Sequence, residues 1–188
     1  MAISTLTIAP LAMTIINKTI APLAMTILNK TEGKIMFRRI TENDWELYRH
    51  YVDLFYHTDA VNAPVPAENY RATFDEMMRS DTYVRGYIFE YEGTPCGFAL
   101  LSKTFSQEAG GVSVTIEEIY IDPEYRSKGL ATEFFEWLKN DSCAMRLRLE
   151  VEDCNVGAKR LYERMGFELL PYLQMVIDRQ RQKQGEGD

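Results

Sequence analysis

The chain has 188 residues, of which 46% are hydrophobic and 26% charged, and a formal net charge of −7. That length and balance fit one soluble globular domain with enough chain to bury a substantial core. The acidic excess disfavours non-specific nucleic-acid binding, which depends on neutralising phosphates, and favours cationic partners such as amines.

Residues 7–18, TIAPLAMTIINK, recur at 19–30 as TIAPLAMTILNK, with Leu28 where the first copy has Ile16. Two copies of a twelve-residue unit build no solenoid. Pro10, Pro22 and the Asn-Lys pairs at 17–18 and 29–30 interrupt the apolar runs before they reach the roughly eighteen residues of a membrane span, so no transmembrane helix is expected. A secretory signal carries positive charge ahead of its apolar core, whereas here the first cation, Lys18, follows it. Residues 1–35 are therefore expected to be a dispensable extension, of the kind that translation upstream of a start at Met36 would add. An interfacial or partner-binding arm is the alternative. This extension holds three lysines against one glutamate, which leaves −9 on residues 36–188.

From Met36 the pattern is that of one α/β domain reaching to residue 178, with a polar tail at 179–188. A short strand over 36–40 leads to Thr41, a helix cap, with Asp44 in the first turn. Trp45, Tyr48, Val52 and Phe55 then recur at helical spacing. A loop with Pro64 and Pro66 follows, and a second helix carries Tyr70, Phe74, Met77 and Met78 on one face. Such stripes usually form core, and here they are also a candidate substrate wall. Segments 82–92 and 96–105, rich in β-formers and parted by Gly93, Thr94 and Pro95, predict a hairpin.

The next strand, 112–121, ends at Asp122 and Pro123. Beyond a turn containing Arg126, Ser127, Lys128 and Gly129 come Leu130, Phe134, Trp137 and Leu138, spaced as one helical face. A glycine-bearing turn at a helix start offers unpaired N–H groups, here with two cationic side chains, and so predicts an anion cradle. Met145, Leu147, Leu149 and Val151 alternate with charged residues as a strand. Asn155 then caps a helix with Ala158, Leu161, Tyr162 and Met165 inward, closed by Gly166. Segments 167–170 and 173–177 are expected as closing strands. Together these predict a mixed, mainly antiparallel sheet with helices on both faces, and a ligand at the helix starts beside the two parallel strands. Cys96, Cys143 and Cys154 include no close pair, which points to reduced thiols in a cytoplasmic protein. His50 and His57 show no partner in sequence, and no histidine catalysis is expected.

On these residues the chain from about Met36 to Ile177 resembles the GNAT family of N-acetyltransferases. Arg126, Gly129 and Ala131 fit the family's pyrophosphate loop, and Asn155, Ala158, Tyr162, Gly166 and Phe167 fit a second signature downstream. The resemblance implies an enzyme that moves acetyl from acetyl-CoA to an amine by direct attack, without an acyl-enzyme. It implies that backbone groups of Ile119, Tyr120 and Ile121 pair with the pantetheine arm. It further implies that Arg126, Ser127, Lys128, Gly129, Leu130 and Ala131 hold the pyrophosphate, that Asn155 and Ala158 meet the cofactor, and that Tyr162 protonates the departing thiolate.

An ammonium must lose a proton before attack, and Glu117 or Glu118 is the candidate base. Neighbouring strand residues face opposite sides, so only one of the two is expected to reach the amine; resemblance to the base position of spermidine/spermine N-acetyltransferases favours Glu117, while Glu118 matches an acidic position frequent in the wider family. A small cationic amine is the expected acceptor, with no metal, nucleic-acid or membrane partner, and a homodimer is admitted. The alternatives are a protein N-terminus or lysine as acceptor, or an acyl-CoA-binding module without turnover.

Overall fold

The structure, a computed structural model, describes residues 34–58, 65–140 and 144–177. The twelve-residue repeat, Pro64, Cys143 and the polar tail lie outside them. Five strands form one sheet in the order β1-β2-β3-β4-β5. They are β1 (Ile35–Arg39), β2 (Val84–Tyr91), β3 (Thr94–Ser106), β4 (Gly111–Ile121) and β5 (Arg146–Leu149). The first four pair antiparallel in sequence, and β5 runs parallel to β4. Helices α1 (Trp45–Tyr56) and α2 (Ala67–Arg79) cover one face of the sheet. Helices α3 (Leu130–Lys139) and α4 (Val156–Arg164) cover the other.

Because both faces are covered, the central strands read as continuous apolar runs. In β2, Tyr87 and Phe89 enter the α3 side and Ile88 the α1 side; in β3, Phe98 and Leu100 alternate with Ala99 and Leu101 in the same way. Phe134 anchors the α3 core, fully buried against Phe37, Tyr87 and Phe89; truncating such a ring to alanine costs about 3–5 kcal/mol. Tyr48 plays the corresponding part beneath α1, edge-on to Phe98.

The start of α1 differs from the expectation: a 3-10 turn at Glu42–Asp44 follows Thr41, and Asp44 is the residue before α1, not part of its first turn. The Asp44 carboxylate accepts from the Thr41 backbone N–H at 2.8 Å and from the Thr41 hydroxyl at 2.7 Å. Arg38 of β1 donates to both oxygens of Asp44 at 2.8 Å and to Glu90 of β2 at 2.6 Å, which ties strand, strand and helix together. The Arg38 guanidinium holds the Asp44 carboxyl down to about 2.

Two further expectations need correction. Segments 167–170 and 173–177 form no strands. Residues 167–177 carry no ladder pairing, the chain bends at Pro171, and Leu173, Met175, Val176 and Ile177 are almost wholly exposed. Strand propensity describes fit to a pleated surface and supplies no partner edge. Here β5 offers only four residues, Pro171 lacks a donor, and the segment meets the end of β5 through Gln174, whose amide donates to Glu150 at 2.6 Å. The second correction is a bulge in β4, described below. Among the described residues no helix is long and apolar enough to cross a membrane.

Candidate active site

The site forms where β4 and β5 part. Their pairing runs from Ser113↔Arg146 to Ile116↔Leu149 and stops. Strand β4 continues to Ile121 with β3 on one side only, so alternate backbone N–H and C=O groups of residues 117–121 border the gap on the other.

At the point of parting β4 is bulged. Leu100 pairs with Glu118 and Leu101 with Ile116, so Glu117 is the extra residue. The bulge shifts the alternation. Val114 and Ile116 face the α3 core, and so do Ile119 and Ile121, three and five residues beyond Ile116. Glu118 and Tyr120 turn toward α1.

The two acidic residues therefore have different surroundings, although both line the same cleft. Glu117 is exposed and accepts from the Ser102 hydroxyl. Glu118 is 9% exposed. Its Oε1 accepts from the Tyr56 hydroxyl at 2.7 Å, while its buried Oε2 has no hydrogen-bond partner among the described residues. Burial pushes the Glu118 carboxyl up to about 7, against the lowering effect of Tyr56. Its own burial, and after that the same contact with Glu118, push the Tyr56 phenol far above its usual range, so it stays a donor. Tyr56 is held by stacking on Tyr70, centroids 5.6 Å apart at 19°.

Past Ile121 the chain makes a 3-10 turn at Pro123–Tyr125 and enters α3 through Ser127 at φ 61° and Gly129 at φ 90°. The Glu133 N–H donates to the Gly129 carbonyl at 2.9 Å as α3 begins, and the N–H groups of Leu130, Ala131 and Thr132 before it have no partner within the helix. All three residues border a cleft of about 1130 Å³, as do Arg126, Ser127 and Gly129. The left-handed backbone, more than close approach, demands glycine at 129: a Cβ there would meet only Ile35 Cδ1, at 3.8 Å. Arg126 donates from Nε to the Ile121 carbonyl at 2.9 Å. Lys128 turns away, its ammonium 4.7 Å from the ring centroids of both Tyr91 and Tyr125, and does not line the cleft.

The opposite wall comes from α4. The Asn155 side chain accepts from the Ala158 N–H at 3.1 Å, and so caps the helix through its oxygen while its NH2 group remains available as a donor. Ala158, Cys154 and Tyr162 line the same cleft, and Ile119, Tyr120 and Ile121 close it from β4. Burial raises the Tyr162 phenol, and its ring is clamped edge-on between Phe135 and Phe167. The structure thus brings together every sequence-predicted site residue except Lys128.

A second cleft of about 440 Å³ opens from the gap toward α1. It shares Phe55, Ile119, Glu152, Asn155 and Tyr162 with the first. Tyr56, Glu150 and Glu152 line this cleft, and the sequence pattern does not single them out. His50 and His57 line neither cleft.

Comparison with known proteins follows this geometry. The model of the Acetyltransferase (GNAT) family matches residues 36–167. Among solved structures, a possible acetyltransferase from Clostridium difficile 630 is 19% identical, with a TM-score of 0.65 over 78% of this chain and 98% of its own. The aminoglycoside N-acetyltransferase AAC(6')-Iy, solved with the bisubstrate analogue CoA-S-monomethyl-acetylneamine, is 18% identical, with a TM-score of 0.63 over 78% and 99%. A ribosomal-protein-alanine N-acetyltransferase from Brucella melitensis biovar Abortus 2308 is 15% identical, with a TM-score of 0.61 over 77% and 99%. A comparison of the sequence with curated proteins found no match. With its loop at the start of α3, its parted strands and a family match over residues 36–167, the chain belongs to the acetyltransferase (GNAT) family and is an acyl-CoA-dependent N-acetyltransferase.

Proposed function

We propose that the protein transfers acetyl from acetyl-CoA directly to the primary amine of a small cationic molecule, with Glu118 as base and Tyr162 as acid. The observation that carries this reading is Glu118 itself: a carboxylate nine-tenths buried at the acceptor cleft, with one oxygen bonded and the other without a partner. A buried oxygen left unsatisfied is costly, and an ammonium hydrogen is the donor that such a site fits.

The residues support each part of the chemistry. The free N–H groups at the start of α3 fit a pyrophosphate, and the larger cleft leads from there to the gap shared with the acceptor side. An alkylammonium, with a pKa of about 10.4, passes one proton to Glu118, whose carboxyl at about 7 is both partly ionised and basic at neutral pH. The neutral nitrogen attacks the thioester carbon; a C–N bond forms and the C–S bond breaks. The second nitrogen proton, shed as the amide forms, balances the proton that Tyr162 gives to the thiolate sulfur. The environment favours Glu118 over Glu117, because Glu117 is exposed and bonded to Ser102. The free thiols of Cys96 and Cys154 accord with a reducing, cytoplasmic setting.

Thiol release from acetyl-CoA, measured across a panel of small amines and peptides, tests the reading. Turnover on small amines and a loss of about 10²-fold or more in Glu118→Gln are expected, with a smaller loss in Glu117→Gln. Full activity in Glu118→Gln, or turnover confined to peptides, overturns it.

A further inference from the structure

The turn that leads into α3 carries two left-handed residues, Ser127 at φ 61° and Gly129 at φ 90°, with Lys128 between them. Glycine adopts that region freely, but serine does not, so such a turn keeps its shape only where its surroundings hold it. Two side chains of the turn are held. Arg126 is bonded from Nε to the Ile121 carbonyl at 2.9 Å. Lys128 places its ammonium 4.7 Å from the ring centroids of both Tyr91 and Tyr125.

The two rings form a firm seat for that ammonium. Their centroids are 5.9 Å apart with the planes at 58°, and both rings pack, half-buried, against the α3 core. Tyr91 ends β2 and pairs with Ile35 of β1, the residue that a Cβ on Gly129 would meet. Tyr125 ends the 3-10 turn just before the loop. Lys128 therefore ties the turn to the paired ends of β1 and β2, and neither it nor Tyr91 lines the large cleft. A cation over two aromatic faces is attracted by both ring quadrupoles, an attraction that a neutral side chain lacks. We infer that Lys128 is a positioning residue for the acyl-CoA donor: seated on Tyr91 and Tyr125, its ammonium holds the left-handed turn in the shape that presents the α3 N–H groups to the large cleft. The inference rests on the reading of that cleft as the site of the donor's pyrophosphate and adds what keeps the site in shape.

The test is calorimetry of CoA binding to the full chain, in the wild type, Lys128→Met and Lys128→Arg, and in Tyr91→Leu with and without Lys128→Met. Pantetheine, which lacks the pyrophosphate, is measured against the wild type. Lys128→Met keeps the length of the side chain without its charge and should raise Kd for CoA about 5-fold, the scale of exposed cation–π contacts. Lys128→Arg restores a cation to the rings and should stay within about 2-fold of wild type. In Tyr91→Leu one ring of the seat is already gone, so adding Lys128→Met should cost only about 2-fold more. An unchanged Kd in Lys128→Met overturns the inference, as does a loss in Lys128→Arg equal to that in Lys128→Met. An equal loss with and without Tyr91 places the ammonium on the phosphates directly and overturns it too. Wild-type affinities alike for CoA and pantetheine show that the turn holds no pyrophosphate, and the inference falls with that reading. A wild-type preference for CoA beside an unchanged Kd in Lys128→Met leaves the donor site standing and overturns the role of Lys128 alone.

Discussion

Tyr56, in the last turn of α1, donates its hydroxyl to Glu118 Oε1 at 2.7 Å across the smaller cleft. This bond stabilises the ionised carboxylate, while burial stabilises the protonated form and outweighs it. The wild-type kcat/KM should therefore rise with pH through an ionisation near 7. Tyr56→Phe removes the stabilising donor, keeps the ring on Tyr70, and moves the limb to higher pH. A kcat/KM about 5-fold lower at pH 7, recovering toward wild type near pH 9, is the expected result. A uniform loss at every pH would show that Tyr56 acts on shape alone.

The same burial makes Glu118 a cost to stability. Its carboxyl lies at about 7 in the folded protein against an ordinary 4.5, so between these values the folded state holds a proton that the unfolded state releases. Stability therefore falls as pH rises through that window. Glu118→Gln removes the ionisation and retains an oxygen for Tyr56. Thermal unfolding should show the variant more stable than the wild type at pH 8, by an amount on the order of 3 kcal/mol, with the difference gone at pH 4. Equal stability at pH 8 would contradict the raised carboxyl.

Much of this site is legible in the chain because local rules and tertiary structure agree there. Asn155 caps α4 as its type predicts, Gly129 takes the left-handed conformation that its turn needs, and Tyr162 lies on the inner face of its helix. The bulge at Glu117 was signalled more faintly. Two acids in succession separate Ile116 from Ile119, and only an extra residue lets both isoleucines share one face. Strict alternation hides this and assigns the two glutamates to opposite sides. Tyr56 falls beside the stripe of Trp45, Tyr48, Val52 and Phe55, and its value depends on Glu118 of β4, 62 residues away. The expected strands at 167–170 and 173–177 have the right residue types, yet pairing depends on an edge that residue types do not encode.

Gly129 separates conformational cost from steric cost. Its φ of 90° costs an alanine about 1–2 kcal/mol, while the added Cβ would make only an ordinary contact with Ile35. Gly129→Ala should lower the melting temperature and raise KM for acetyl-CoA more than KM for the amine, because the turn presents the N–H groups of α3. Gly129→Asn should recover part of both losses, since asparagine tolerates the left-handed region. If alanine and asparagine behave alike, the left-handed turn is not what positions the donor.

Tyr162 is a test of chemistry against packing. Its ring meets Phe135 and Phe167 at centroid distances of 5.6 and 6.0 Å, and Tyr162→Phe leaves both contacts in place. Stability should therefore change by less than about 0.5 kcal/mol. If the hydroxyl protonates the leaving thiolate, kcat at saturating substrate should fall about 10²-fold, with KM for acetyl-CoA within about 2-fold of wild type. An acceptor supplied as a hydroxylamine, whose neutral nitrogen needs no base near pH 7, should restore activity to Glu118→Gln and leave Tyr162→Phe impaired, because only the second variant lacks the proton for sulfur. Full kcat in Tyr162→Phe would assign the residue to the packing of α4 against α3 and leave the thiolate to take its proton from water.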